Sequence, residues 1–80
     1  MKIENISTRE DLADYIKCLE LESVAVDCDW ENIQLDRYLE AMSGWVSDMD
    51  GFYKNAGLNM QDEPMWRIFA RMLTAAAYYE

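Results

Sequence analysis

The strongest signal in this chain of 80 residues is a run of apolar positions between residues 35 and 53. Leu35, Tyr38, Met42, Trp45, Met49 and Phe52 follow alternating steps of three and four, and Leu39, Val46 and Tyr53 widen the stripe at steps of seven. At roughly 100° per residue these positions cover about 140° of a helix surface, the width of a core-facing helix. The pattern predicts one continuous helix from Leu35 to Asn55, stopped by the glycine of Asn55-Ala56-Gly57. Beside the stripe runs an unbroken polar arc of Asp36, Glu40, Ser43, Ser47, Asp50 and Lys54. A third arc holds Ala41, Gly44, Asp48 and Gly51. A glycine within a helix costs about 0.8–1.0 kcal/mol relative to alanine. This arc therefore predicts close approach of another backbone, either from the same chain or from a partner.

Weaker patterns flank this helix. Ser7 and Glu10 have the spacing of a capping box, and Asp11 adds negative charge to the first turn. Leu12, Tyr15, Ile16 and Leu19 then predict a helix from about Thr8 to Glu22, with Asp14, Lys17 and Glu20 on its wet side. In "LESVAVDCDWEN", Val24, Val26 and Cys28 alternate with Ala25 and Asp27, a weak strand pattern. A lone strand lacks a partner for its backbone unless "MKIENI" supplies one, so an ordered loop is expected. In "QDEPMW", Asp62 can cap and Pro64 fits a first turn; Met65, Trp66, Phe69, Met72, Leu73 and Ala76 form an apolar face that is expected to be buried. Ile68, Ala75 and Tyr79 extend it nearly all round, leaving a narrow polar strip of Arg67, Arg71 and Thr74. A helix this apolar belongs between the other two or against a second subunit. The expected fold is a single all-α domain over residues 1–80: a compact three-helix bundle with a short irregular segment between helices 1 and 2.

Composition sharpens the picture. With 51% hydrophobic residues and three Trp, the chain is too apolar to be disordered, and a single Pro with three Gly favours helices over a turn-rich β fold. The net charge of −9 is unevenly placed. Residues 1–34 hold nine acids against Lys2, Arg9 and Lys17; residues 35–63 hold six against Arg37 and Lys54; the last stretch inverts, with Arg67 and Arg71 against Glu80. Phosphate backbones and anionic lipid surfaces are poor partners for such a chain, so neither direct nucleic-acid nor membrane binding is expected. A basic protein surface is a good partner. No apolar run approaches the roughly 18 residues of a membrane span and no secretory leader pattern opens the chain, so a soluble, cytoplasmic protein is expected, with Cys18 and Cys28 as free thiols.

The search for reaction chemistry returns little. Without histidine, neither cysteine has its usual catalytic partner, and two thiols cannot complete a tetrahedral zinc site. Three isolated glycines match no phosphate-binding fingerprint. "DCDWEN" evokes a calcium loop, but an EF-hand needs glycine at its sixth position and glutamate at its twelfth, where Asn32 and Tyr38 stand. No catalytic, cofactor-binding or metal-ligating residues are expected, and hence no enzyme. Met42, Met49, Trp45 and Trp66 read as core. Trp30, between Asp29 and Glu31, reads either as a lid on the bundle end or as an exposed aromatic anchor ringed by acids.

The ordered combination "WENIQLDRYLEAMSGWVSDMDGFYKNAG", then Pro64-x-Trp66, "FARML" and a closing "AAAYYE", resembles a family of small bacterial domains of unknown function. The likeness covers about Trp30 to Glu80, with a weaker match in "ISTREDL". It implies a compact, mostly helical bacterial or phage-type domain and carries over no reaction. The surface chemistry suggests an immunity, antitoxin or inhibitor protein that blocks a basic partner, a nuclease or another nucleic-acid-binding protein. Trp30, Asp36, Glu40, Ser43, Ser47, Asp48 and Asp50 are its candidate partner-binding residues. The alternative is a homodimer or assembly module built on the Gly44–Gly51 arc or on surplus apolar surface of the third helix.

Overall fold

In the computed structural model, which describes residues 2–79, a short 3-10 turn (Ile3–Asn5) leads into helix α1 (Arg9–Ser23). The helix starts one residue later than the Ser7–Glu10 spacing predicts. Thr8 is the cap: its hydroxyl accepts from the Asp11 N–H at 3.1 Å, and the Asp11 carboxylate accepts from the Thr8 N–H at 3.2 Å and the Ser7 N–H at 3.1 Å. Asp11 wins over Glu10 because one carboxylate satisfies two orphan donors at once. Those bonds, that from the Ser7 N–H above all, hold the Asp11 carboxyl below its ordinary range. From this start Leu12, Tyr15 and Leu19 point inward.

Helix α2 (Leu35–Ala56) is unbroken, as its periodicity requires. Gly57 ends it at φ 70°, where only glycine is unstrained, and its N–H closes back on Lys54 and Tyr53. A second 3-10 turn (Met60–Asp62) follows, capped by Asn59, and helix α3 (Met65–Tyr78) begins after Pro64. Asp62 therefore does not cap α3, because the turn it occupies precedes the helix. Residues 24–34 form an irregular connection, and no strand occurs among the described residues. No helix among them is long and apolar enough to cross a membrane.

The three helices form an all-α bundle in which α3 packs against both α1 and α2, which scarcely touch one another. The apolar character of α3 requires that central place, and fully buried Ala70, Ala76 and Ala77 give its neighbours close access. On one flank, Ile6, Leu12, Tyr15 and Leu19 enclose Ala70, with Trp66 and Leu73 against them. On the other, Ala41, Trp45 and Tyr53 of α2 are buried. Contacts pairing Ile6 with Arg67 and Tyr15 with Thr74 make α1 parallel to α3; those pairing Tyr53 with Glu63 and Gly44 with Tyr79 make α2 antiparallel. The result is a flattened body of 36 × 27 × 17 Å.

This layering corrects two expectations. Met65 and Phe69, expected on the buried face of α3, are 53% and 39% exposed, because α1 and α2 cover only two sides of that helix. The nine-position stripe of α2 was wide enough to be all core, yet Leu35 is 72% exposed, Leu39 51% and Val46 41%. With α1 on the far side of α3, α2 has one neighbour rather than two. The contact is narrower than the stripe, and the surplus flank faces water.

Two polar closures lock the layers. Near the start of α3, the Glu63 side chain, 6% accessible, receives a bidentate bond from Arg71 (2.9 and 2.7 Å) and one from the Tyr53 hydroxyl (2.6 Å). Arg67 adds a longer ionic contact at 3.9 Å and donates from Nε to the Ile6 carbonyl at 3.0 Å. Residues of α2, α3 and the N-terminal turn thus meet around one carboxylate. Arg71 foremost, then Tyr53, hold its carboxyl below the ordinary range against the opposing effect of burial, while burial and that same carboxylate push the Tyr53 phenol up to about 12. At the other end of α3, Asn32 acts as an outside cap. Its amide donates to the carbonyls of Ala76 (3.0 Å) and Tyr79 (2.6 Å), and its backbone N–H to Ala77 (3.0 Å). These are carbonyls that a helix end leaves without partners.

Replacing Glu63 with alanine leaves a partly buried guanidinium uncompensated, and a loss on the order of 3 kcal/mol is expected in urea unfolding. The folded-state pKa of Glu63 lies below its ordinary 4.5. Its contribution is therefore complete above that value and is lost as pH falls through the lower folded value. Glu63→Gln should flatten the acid limb of stability against pH; an unchanged acid limb counts against the assignment. Asn32→Asp removes both amide donors and sets a negative charge at the negative end of α3. It should destabilise more than Asn32→Ala, whose expected cost is about 1–2 kcal/mol. Equal midpoints for the two variants would refute the capping role.

Candidate functional site

The outward face of α2 carries the polar arc intact. Asp36, Glu40, Ser43, Ser47, Asp50 and Lys54 are all exposed, on the side turned away from α3. Among the described residues no ion pair engages Asp36, Glu40 or Asp50; the arginines nearest the core are committed to Glu63. The ridge is rigid because its backbone belongs to an uninterrupted helix whose opposite face is anchored by Trp45. Its charge faces water, where each carboxylate remains hydrated and available.

At the N-terminal half of α2 the ridge borders an open cleft of about 770 Å³, whose lining includes Glu31, Asp36, Glu40, Arg37 and Tyr79. Three carboxylates and one guanidinium share this hollow, so its electrostatic balance favours a cationic group. Arg37 and Tyr79 did not emerge as site residues from the sequence. Arg37 follows Asp36 directly and is a visible neighbour, whereas nothing local signals that Tyr79 folds back from the far end of the chain. Among the described residues no group of three or more carboxylates and thiols converges as a metal site.

Asp48 and Trp30 stand apart from the other predicted contacts. Asp48 is exposed but accepts a short hydrogen bond from the Tyr79 hydroxyl, which raises the phenol's pKa. It therefore positions Tyr79 over α2. Trp30 is half-buried, packs against the α1–α3 core and stacks on Tyr38 with ring centroids 6.0 Å apart. That places it as the lid of the bundle end and not as a free anchor: the ring is drawn inward because Tyr38, held by its bond to the Leu73 carbonyl at 2.6 Å, offers it a flat apolar partner. Cys18 is exposed and Cys28 half-buried; both are free thiols.

The glycine arc divides in two. A Cβ added to Gly44 would meet the Tyr79 ring at 3.0 Å, so the close approach comes from a side chain of the same protein. Around Gly51 nothing lies within 4 Å. Gly51→Ala should accordingly stabilise the protein by up to about 1 kcal/mol, the helix-propensity difference. Gly44→Ala should lose that gain, because the ring must shift, and the NMR-monitored Tyr79 phenol should titrate nearer its ordinary 10.0 as the Asp48 bond weakens. A stabilising Gly44→Ala with an unmoved Tyr79 would show that the contact is slack.

No curated protein and no solved structure shows significant similarity to this chain. The model of a family of unknown function, DUF7660, matches residues 8–80, from the Thr8 cap through all three helices. The chain is a member of that family.

Proposed function

We propose that this protein is a stoichiometric binder of a basic protein, a bacterial, cytoplasmic immunity, antitoxin or inhibitor protein whose partner acts on nucleic acid. The supporting observation is the rigid ridge of Asp36, Glu40 and Asp50, exposed and engaged in no ion pair among the described residues, with Ser43 and Ser47 between the carboxylates for short-range hydrogen bonds. A ridge of this kind is suited to enter a groove shaped for phosphates, and a net charge of −9 speeds encounter with a positive surface. The cleft beside it, with Glu31 and Arg37, offers a place for one basic side chain of the partner. Asp48 contributes indirectly, through Tyr79.

The test is co-purification from the native cell, followed by titration of the identified partner. Replacing Asp36, Glu40 and Asp50 together with lysine should weaken binding at least about a hundredfold, given about 1–2 kcal/mol for each contacting charge, and leave helical circular dichroism unchanged. Binding that survives this reversal, or a partner that is itself acidic, would reject the proposal.

A further inference from the structure

The side of the molecule opposite Arg67 and Arg71 carries an apolar face that the chain leaves open. Given the helix directions, about 100° per residue turns Ile16 of α1, Met65 and Phe69 of α3, and Leu39 and Val46 of α2 toward the same side. Each of these residues is exposed. Met42, Met49 and Met72 share these arcs and are half-buried, so side chains that adapt to varied shapes lie within the face. On the arcs of α2 and α3 that form this face no charged residue intervenes. Its outer edge on α2 runs directly into the ridge of Asp36, Glu40 and Asp50, and on α1 Glu20 stands one turn beyond Ile16.

An apolar strip bordered by carboxylates complements one kind of ligand: an amphipathic helix with lysine or arginine flanking its apolar side. A second copy of this chain fits poorly, since each copy carries −9 and a symmetric pair would set carboxylate rims against one another. We propose that the basic partner docks an amphipathic helix on the Leu39–Val46–Phe69 face, its cationic flank meeting Asp36, Glu40 and Asp50. The inference rests on the proposed function above and gives the partner's contacting element a form. It also accounts for the surplus width of the α2 stripe, which intramolecular packing leaves unused.

The probe is a fluorescently labelled peptide of about 18 residues, or five helical turns, built of leucine and lysine with segregated faces, alongside a scrambled peptide of equal composition. Fluorescence anisotropy should show the segregated peptide binding about tenfold more tightly than the scrambled one. A chain carrying Leu39→Ser, Val46→Ser and Phe69→Ser should lose that preference while keeping its circular dichroism, because all three side chains are exposed. Equal binding of the two peptides, or an unchanged preference in the serine variant, overturns the docking face yet leaves the carboxylate ridge standing. Failure of that ridge is read separately, from the lysine variant and the native partner. Sedimentation as a dimer that Val46→Ser dissociates would overturn the inference as well, by assigning the face to a second copy.

Discussion

Burial of α3 from two sides is the constraint on which the rest of this structure depends. With three helices available, the most apolar one takes the middle and its neighbours are kept apart by it. Fully buried alanines along α3 help a helix with little polar surface pack against its neighbours. An 80-residue chain has little stability to spare, and this arrangement concentrates its apolar burial on one element.

Polar contacts at the two ends of α3 convert that layering into a defined register. Glu63 fixes the α2–α3 turn through Tyr53 and Arg71, while Arg67 ties the N-terminal turn to the same place. Asn32 fixes the opposite end by donating to the loose carbonyls of the last turn. Hydrophobic burial alone is non-directional and would tolerate sliding of helices past one another. A bidentate ion pair and a side-chain cap tolerate much less.

The same layering separates the surface into regions of different chemistry. One broad side holds Arg67 and Arg71 turned to the Glu63 carboxylate; on the other, the arcs of α2 and α3 are apolar and uncharged; the outer edge of α2 is a hydrated carboxylate ridge. Adjacent apolar and acidic surfaces on one rigid helix suit the protein recognition proposed above, and the cleft beside the ridge is open to solvent.

Three helices, the unbroken run from Leu35 and the solvent exposure of Asp36, Glu40, Ser43, Ser47 and Asp50 were determined by local sequence, since 3.6-residue periodicity and a glycine stop act within a few turns. The start of α1 was legible to within one residue, its register decided by which carboxylate could reach two backbone donors. Tertiary structure alone decided which part of the apolar stripe became core. Periodicity reports that Leu39 and Val46 share a side with Trp45, but not how many helices stand opposite. The roles of Trp30, Asn32, Asp48 and Gly44 likewise depended on residues more than thirty positions away or on a neighbouring element's side chains, notably Tyr79 and the last carbonyls of α3. Their meaning lies in long-range contacts, which a one-dimensional pattern does not encode.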